Sequence, residues 1–275
     1  MVLGALPILE AGTEDQKRDI LPRVARGELL LTLALWEPGV DSDPRFVAAA
    51  AQGGRVSGTK LFVPYASVAD RVLLVARTSG APGDESGLTI FVLEGKAQGV
   101  ALTPLKTIAA DKQFEMALDG VSVGEETVLG ARDGAMPLVR STLLKAAALQ
   151  CAEMVGVAQY ELEITAEYAR NRVQFGRPIG TFQAVQHRMA DMMIDASGAR
   201  WTTYNAIWRL AEGLPAEREV AIAKAFANIA TQRIALGAQG IHAGVGVDMD
   251  HDLQFYFRRQ KSLELKLGTT PYHLG

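Results

Sequence analysis

The chain has 275 residues, of which 48% are hydrophobic and 21% are charged, and its formal net charge is −3. This length suits one large domain or two ordinary ones, and the composition is that of a soluble globular protein rather than a disordered or fibrous one. The small negative charge gives no reason to expect nucleic acid or an anionic membrane as a partner.

Signals for membrane insertion and export are also missing from the sequence. No apolar stretch approaches the length that spans a bilayer, and the first residues lack the basic region of a signal peptide. The single cysteine, Cys151, excludes an internal disulfide and fits a reducing compartment, so we expect a cytoplasmic protein. Because Cys151 lies in an apolar helical run, a buried structural thiol is its expected role.

The first 30 residues predict helix. Thr13 and Gln16 have the spacing of a capping box, and acidic residues follow Thr13, as is typical of a helix N-terminus. Pro22 is expected to interrupt or restart this helix, and Gly27 is expected to end it. A helical segment this short is not a domain by itself.

Residues 31–132 change to a strand pattern. Short runs of strand type alternate with turn clusters of Gly, Pro and Asp. The runs lie at residues 29–35, 60–63, 71–77, 88–93 and 113–118. Several short strands with frequent turns predict a small β-barrel or sandwich domain.

Residues 133–275 are predicted to be almost entirely helical. The first long segment is apolar on most faces, which is typical of a helix buried among other helices. The segments are residues 136–170, 182–211, 217–239 and 253–267, with a Gly-rich loop at 240–246. Four long helices with short connections predict an antiparallel four-helix bundle, so the expected fold class is α+β.

The segment at residues 170–179, Arg-Asn-Arg-Val-Gln-Phe-Gly-Arg-Pro-Ile, carries the most specific signal. Arg, Gln and an aromatic ring beside a glycine turn can hold an anion and stack on a planar ring, while cations at a helix C-terminus also have a structural explanation. The string closely resembles the acyl-CoA dehydrogenase segment in which an Arg and a Gln bind FAD, usually across a subunit interface. Those positions are Arg172 and Gln183, and Gln174 and Phe175 are further cofactor candidates.

Residues 12–28 resemble the end of the N-terminal helical domain of the same family. The resemblance implies that residues 1–30 are a remnant of that domain, and that the domain is truncated here. The β domain, on the flavin and acyl-CoA side, is then expected at 31–132. The helical bundle, for FAD binding and oligomerisation, is expected at 133–275.

Residues 36–43, Trp-Glu-Pro-Gly-Val-Asp-Ser-Asp, resemble the family's flavin-lining loop. The resemblance implies Trp36, Ser42 and Phe62 as cofactor contacts. Trp36 replaces the usual Thr, and Phe-Val-Pro from Phe62 onward stands where the family has Trp-Ile-Thr, so two hydroxyls near the flavin are lost. Glu37 follows the family pattern, and a structural role is expected for it.

Residues 241–246, Ile-His-Ala-Gly-Val-Gly, resemble the glycine-rich loop of the family, where small residues let the backbone approach the cofactor. The resemblance implies cofactor contacts at Gly240, His242 and Gly244. The Gln that usually precedes the loop His by two residues is Gly240 here, and Gln239 is displaced by one. A structural or cofactor-adjacent role is expected for His242, rather than that of a general base.

The catalytic base of the family is missing from both of its known positions. Family members use a Glu to remove the α-proton of the acyl-CoA while the flavin takes the hydride. Alignment on Gly-Thr places Leu267 at the usual Glu, and alignment on the first bundle helix places Ala146 at the alternative one. Glu264 and Glu153 are the candidates for a relocated base, although each also reads as an ordinary solvated or ion-paired carboxylate.

The resemblance implies FAD as the cofactor, and no metal ligands are expected. Three hypotheses follow for the role of this chain. The stretch from Tyr256 to Leu265 resembles the heteromeric acyl-CoA dehydrogenases of actinobacterial steroid and cholesterol side-chain degradation, in which one chain lacks the Glu. A self-sufficient dehydrogenase with a relocated base and a non-catalytic assembly module are the alternatives, with a flavin monooxygenase as a minor fourth. The implied partners are an acyl-CoA substrate, a homologous subunit in a heterotetramer or homo-oligomer, and an electron-transfer flavoprotein.

Overall fold

The structure is a computed structural model, and it describes residues 2–39 and 42–275. The chain forms two compact units, one that ends at Leu143 and one that begins at Leu144. The domain boundaries expected after residues 30 and 132 stay predictions. Within the described part of the chain, no helix has the length and apolar character needed to cross a membrane.

The first unit begins with two helices, α1 (Ala5–Ala11) and α2 (Glu14–Ala25). The capping box is confirmed, because Gln16 N donates to Thr13 Oγ1 at 3.2 Å and Thr13 N donates to Gln16 Oε1 at 3.0 Å. The expectation that Pro22 interrupts the helix is wrong. Pro22 lies inside α2, where one missing N–H is tolerated, and its carbonyl still accepts from Arg26 N at 3.1 Å.

Eight strands form one mixed sheet in the first unit. They are β1 (Leu31–Ala34), β2 (Ala50–Gln52), β3 (Arg55–Pro64), β4 (Arg71–Arg77), β5 (Leu88–Glu94), β6 (Val100–Leu105), β7 (Gln113–Ser122) and β8 (Val128–Leu129). Their order is β6-β7-β3-β2-β4-β5-β8, and β1 pairs in parallel with β4. Among the described residues β6 and β8 do not pair with each other, so the sheet is open and is not a closed barrel.

The strand β4 is buried along almost its whole length, because the sheet carries a core on each face. Val72 and Leu74 belong to a core that also draws on β3, β5 and β7. Leu73 and Val75 point to the opposite core, which α1, α2 and the residues around Val139 cover. The alternation of side chains along a strand therefore explains why β4 reads as a continuous apolar run.

The second unit is helical, as predicted. Its helices are α3 (Met136–Asn171, which starts in the first unit), α4 (Gln183–Ala211), α5 (Glu217–His242), α6 (Leu253–Leu265) and α7 (Thr270–Leu274). A two-stranded hairpin, β9 (Val173–Gln174) and β10 (Arg177–Pro178), follows α3. The predicted Gly-rich loop is shorter than expected, because α5 continues to His242 and a 3₁₀ turn occupies Ala243–Val247.

Polar contacts fix the register of the bundle helices. Arg200 of α4 donates to Gln159 of α3 at 2.5 Å, and Arg233 of α5 pairs with Asp195 of α4. Cys151 is fully buried in one of the two bundle cores, and burial raises the pKa of its thiol to about 12, so it is an inert thiol, as expected.

Glu161 is a buried carboxyl in the middle of α3. Its side chain is fully buried, and neither carboxylate oxygen has a hydrogen-bond partner within the described residues. Burial raises the pKa of Glu161 to about 8, so the folded chain keeps it protonated at neutral pH. The unfolded chain ionises this group near its ordinary pKa. The free energy of unfolding is therefore about 3 kcal/mol lower at pH 7 than at acidic pH.

We predict that Glu161→Gln removes this pH dependence. Stability that the protonated carboxyl contributes is present below the unfolded pKa of about 4.5 and is lost as the pH rises towards 8. The variant is therefore expected to match the parent within about 1 kcal/mol at pH 5 and to exceed it by about 4 kcal/mol at pH 8. Urea unfolding of the second unit, followed at both pH values, measures the difference.

The matched control is Glu163→Gln, two residues away on the exposed face of α3. Its carboxylate accepts a hydrogen bond from Gln159 and faces solvent, so its removal is expected to change stability by less than about 0.5 kcal/mol at either pH. An identical gain for both variants would mean that overall charge, and not burial of Glu161, sets the pH dependence.

Candidate functional site

The loop after β1 is held by a buried ion pair between Glu37 and Lys60. Lys60 is fully buried on β3, and its Nζ donates to Glu37 Oε1 at 2.5 Å and to Leu35 O at 3.1 Å. The carboxylate of Glu37 also accepts from the backbone N–H groups of Ala48 (2.8 Å) and Ala49 (3.1 Å). Burial lowers the pKa of Lys60 to about 8 against the opposing attraction of Glu37. Glu37 is thus a structural group, as expected from the sequence.

The loop held by this ion pair is also hydrogen-bonded to β3 beside Phe62. Leu61 N donates to Trp36 O at 2.7 Å, which ties the loop to the strand one residue before Phe62. Phe62 lies where the pairing of β3 with β7 shifts register, has a φ of +54°, and exposes 55% of its surface. A large apolar side chain held outwards by a bulge is typical of a ligand-facing position.

Ser42 follows the same loop, with a φ of +53° and partial burial. The loop residues Val40 and Asp41 lie outside the described residues. Asp43 then caps a short 3₁₀ turn and pairs with Arg45 at 2.6 Å, and this hydrogen-bonded pair holds the pKa of Asp43 below its usual value. Trp36, Phe62 and Ser42 therefore all lie in the first unit.

The hairpin after α3 presents Phe175 to solvent. Phe175 and Gly176 form the two-residue turn between β9 and β10, with φ values of +54° and +77°. Positive φ at both central residues is typical of a type I′ turn. The ring of Phe175 is 92% exposed and meets Phe182 edge-on, at 6.1 Å between ring centroids. Such an exposed aromatic ring on a rigid turn is a ready surface for stacking or for a partner.

A cavity of about 590 Å³ collects most of the predicted cofactor residues of the second unit. Arg172, Gln174, Phe175, Gly240, His242 and Gly244 all line it. Gln183 does not line this cavity; it is the first residue of α4 and is exposed.

The structure adds lining residues that the sequence reasoning did not name, namely Tyr168, Phe182 and Arg188. Arg188 could have been found from its spacing, because Ala184, Val185 and Arg188 share one face of α4.

His242 forms part of the wall of this cavity. It is 2% exposed, its Nδ1 lies 2.9 Å from the carbonyl oxygen of Ala238, and its ring stacks on Tyr168 at 4.3 Å between centroids. Burial lowers the pKa of His242, so the ring is neutral at pH 7 and Nδ1 is the donor to that carbonyl. This geometry fits a structural group beside a ligand.

The cavity can hold an anion joined to a flat ring. The guanidinium groups of Arg172 and Arg188 have no ion-pair or hydrogen-bond partner within the described residues, and no Asp or Glu lines the cavity. A Cβ added to Gly244 would meet nothing within 4 Å, so open space lies beside the backbone of Gly244. Cations, aromatic rings and open backbone together suit a nucleotide diphosphate.

The two residues that the sequence resemblance aligns with the family's catalytic base, Leu267 and Ala146, carry no carboxylate. Leu267 has a φ of +55° and packs against a bundle core of apolar residues, and Ala146 is 5% exposed. Both relocated candidates are engaged in ion pairs. Glu264 pairs with Lys261 at 2.7 Å, and Glu153 accepts from Arg259 Nε at 2.7 Å.

Comparison with known proteins places these features in a family. A family model described as "Acyl-CoA dehydrogenase, C-terminal domain" matches residues 134–275. The acyl-CoA dehydrogenase FadE27 of Mycobacterium tuberculosis is 36% identical, in an alignment that covers 98% of this chain and 71% of that protein. The glutaryl-coenzyme A dehydrogenase of a glutaryl-CoA complex matches with a TM-score of 0.95 at 28% identity, over all of this chain and 71% of the other.

The chain therefore belongs to the acyl-CoA dehydrogenase family, as its sequence motifs predicted. Its homologues are FAD-binding flavoproteins. They are oxidoreductases that act on CH–CH bonds. PigA, which has been solved as an FAD complex, shares the fold with a TM-score of 0.92 at 23% identity, over 99% of this chain and 73% of that one.

We predict that Lys60→Met releases the loop that carries Trp36. Removing the cation leaves the Glu37 carboxylate buried and unpaired, which costs about 3–5 kcal/mol of stability in the first unit. The amides of Ala48 and Ala49 should lose protection from hydrogen exchange, because their acceptor becomes mobile. Hydrogen exchange read by mass spectrometry, together with denaturant unfolding, measures both effects.

The double variant Lys60→Met/Glu37→Gln is the control for this prediction. It removes both charges, so it is expected to be less destabilised than Lys60→Met alone. A double variant as unstable as the single one would show that the shape of the Lys60 side chain, and not the charge on Glu37, holds the loop.

Proposed function

We propose that this chain is the base-lacking subunit of a heteromeric, FAD-dependent acyl-CoA dehydrogenase. The reaction is the α,β-dehydrogenation of an acyl-CoA thioester, and a homologous partner chain supplies the carboxylate. The proposal is supported by a cavity lined by Arg172 and Arg188, neither of which has an ion-pair partner within the described residues, together with an apolar side chain at Leu267, the residue aligned with the family base. The resemblance of the stretch from Tyr256 to Leu265 supports a steroid-type acyl group.

The missing base limits what this chain can do alone. FAD, when bound, accepts the hydride that leaves the β-carbon, but a carboxylate within reach must still remove the α-proton. Leu267 and Ala146 cannot accept a proton. The ion pairs of Glu264 with Lys261 and of Glu153 with Arg259 disfavour the alternative of a relocated base, because each would have to break before the carboxylate could act.

The residues of the second unit fit the adenosine diphosphate end of FAD. Arg172 and Arg188 supply cations for the diphosphate, and Phe175 supplies an exposed ring. In the first unit, Trp36 and Phe62 replace residues that the family uses beside the flavin ring. We therefore propose that this chain holds the adenosine end of a cofactor whose ring lies against the loops of the partner chain. Reduced FAD would pass its electrons to an electron-transfer flavoprotein, as the resemblance implies.

An apolar face on α4 and α5 suits the partner chain. Both helices carry large apolar side chains at intervals of seven residues, which places each set on one helix face. These side chains are 39–69% exposed, and they are Ile194, Trp201 and Trp208 on α4 and Ile222, Ile229 and Leu236 on α5. The helices α4 and α5 pack together, so the two stripes give more exposed apolar surface than the single scattered apolar residues that are normal on a monomer. The proposed occupant is the corresponding helix pair of the homologous subunit.

The flavin absorbance spectrum tests the proposed function. The chain purified alone is expected to show no bleaching of flavin by acyl-CoA, because it has no base. Co-purified with a homologous chain that carries the family Glu, it is expected to give a yellow complex that acyl-CoA bleaches. Replacing that Glu of the partner by Gln should abolish bleaching while the complex stays yellow, whereas Glu264→Gln in this chain should leave bleaching unchanged.

Two outcomes would contradict the proposal. Bleaching by this chain alone, abolished by Glu264→Gln or Glu153→Gln, would establish a self-sufficient dehydrogenase with a relocated base. A colourless protein with every partner and with added FAD would establish a non-catalytic assembly module.

We predict that Trp201→Glu dissociates the complex. A charge placed at the middle of the apolar stripe of α4 would be buried without a partner, which should weaken association at least about thirtyfold. Sedimentation velocity measures the change. Val68→Glu, an equally drastic change at an exposed apolar residue in a loop of the first unit, is the control and should leave association unaltered. An equal loss of association in both variants would show that the apolar face of α4 and α5 is not the interface with the partner chain.

A further inference from the structure

The space beside Gly240 is occupied by the guanidinium of Arg188. A Cβ built on Gly240 would lie 2.4 Å from Arg188 Nη1, closer than any real Cβ contact. Arg188 belongs to the second turn of α4, and Gly240 belongs to the last turn of α5. With glycine at residue 240, the end of the flexible Arg188 side chain lies across α5 at the edge of the cavity, and a side chain at residue 240 would displace the guanidinium from this place.

Gln239 does not replace the Gln that the family carries at residue 240. Its Oε1 atom is buried without a hydrogen-bond partner among the described residues, and it would lie 3.1 Å from a Cβ added to Gly246. Gln239 is not among the residues that line the cavity, whereas Gly240 and Ile241 are. The amide of Gln239 thus points away from the cavity and does not face a ligand bound there.

Arg188 and Arg172 approach the cavity from different elements. Arg172 follows the end of α3, and Arg188 extends from α4, so the two guanidinium groups are not neighbours in sequence. Both are exposed and have no protein partner within the described residues. Two unpaired cations that line one carboxylate-free cavity suit a ligand with two adjacent negative groups.

We propose that Arg188 is a second diphosphate-binding residue, which takes the place that a Gln at residue 240 would fill. Gly240 and Arg188 form a compensating pair: the loss of one side chain makes room for the other. Arg172 and Arg188 together bind the diphosphate of an adenine dinucleotide. The identity of that ligand as FAD rests on the proposed function, but the binding of a diphosphate by the two arginines can be tested without the redox reaction.

A guanidinium in place of an amide changes the energetics of the cavity. Arg donates two parallel hydrogen bonds to a phosphate and carries a full charge, whereas Gln donates from a neutral amide. Binding through Arg188 should therefore depend more steeply on salt than binding through an amide. When no ligand is bound, an exposed Arg is hydrated by solvent and needs no buried counter-ion.

Titration of the full-length chain with ADP tests the proposal, with adenosine as the uncharged probe. Isothermal titration calorimetry should show ADP binding about ten- to a hundredfold weaker for Arg188→Met than for the parent, since one charge-assisted contact is lost. Adenosine binding should be unchanged in the same variant. Arg218→Met removes a cation of the same unit outside the cavity and is the matched control; it should leave ADP binding within about twofold of the parent.

A double-mutant cycle tests the compensation. Gly240→Gln alone should weaken ADP binding, because its side chain collides with Arg188. Arg188→Met/Gly240→Gln should bind ADP more tightly than either single variant, because the shorter side chain frees the space for the amide. Additive losses in the double variant would overturn the compensating pair.

Retention of FAD by the co-purified complex separates this inference from the proposed function. If the parent complex retains FAD and Arg188→Met retains it and binds ADP equally well, the assignment of Arg188 is wrong while the proposed function stands. If the parent binds neither ADP nor FAD with any partner, both are wrong. Loss of FAD and of ADP affinity from Arg188→Met, with Arg218→Met unaffected, supports the assignment.

Discussion

The ion pair between Glu37 and Lys60 is the constraint on which the first unit depends. Its two charges are almost completely withdrawn from water, so they must be paired and hydrogen-bonded at the same time. The carboxylate meets this need with Lys60 and two backbone N–H groups, and the ammonium meets it with the carboxylate and the carbonyl of Leu35. One contact thereby fixes the loop after β1 against the middle of β3. The positions of Trp36 and Phe62 follow from it.

A comparable buried cation organises the end of the second unit. Lys224 of α5 donates to Asn228 Oδ1 at 2.7 Å and to the carbonyl oxygen of Leu263 at 3.1 Å, and Asn228 reaches the carbonyl of Gly268 at 3.4 Å. These contacts hold the segment after α6, including the left-handed backbone of Leu267, against the bundle. Because hydrogen bonds to backbone carbonyls hold this segment, its path does not depend on a carboxylate at residue 267. The chain therefore keeps the backbone that surrounds the base position while the side chain there is apolar.

Local patterns made much of this structure predictable. The capping box at Thr13, the four long helices and the strand β4 follow from spacing and periodicity over a few turns or residues. The sequence did not predict β2 and β8, because strands of three and two residues show no alternation. It did not predict β6 either, because that strand contains Pro104 and has no buried face. The prediction for Pro22 failed because the rest of α2 keeps its helical hydrogen bonds around the proline. The clustering of six predicted cofactor residues at one cavity came from family resemblance rather than from local physics.

What the sequence did not reveal depends on contacts between distant residues. Arg188 is an ordinary helical cation until the structure places it against Gly240, 52 residues further along the chain. Glu161 likewise looks like one of several acidic residues on a long helix, and only its complete burial among helices raises its pKa. In both cases the property depends on residues that are distant in sequence and close in the fold. No fixed spacing in the sequence identifies such neighbours.

Within the second unit, the candidate ligand groups and the residue aligned with the base are accommodated in different ways, and this difference bears on the proposed division between chains. Arg172, Arg188 and Phe175 are exposed on rigid elements, so water hydrates the cations and folding does not depend on their pairing. Under the proposed function, a site of this kind for the adenosine end of FAD is formed before any cofactor or partner binds. Leu267, the residue aligned with the base, is by contrast a half-buried apolar side chain packed against a bundle core, and it offers no proton acceptor in any rotamer. Under the proposed function, the chain is therefore a pre-formed half of a cofactor site whose chemistry must come from the partner.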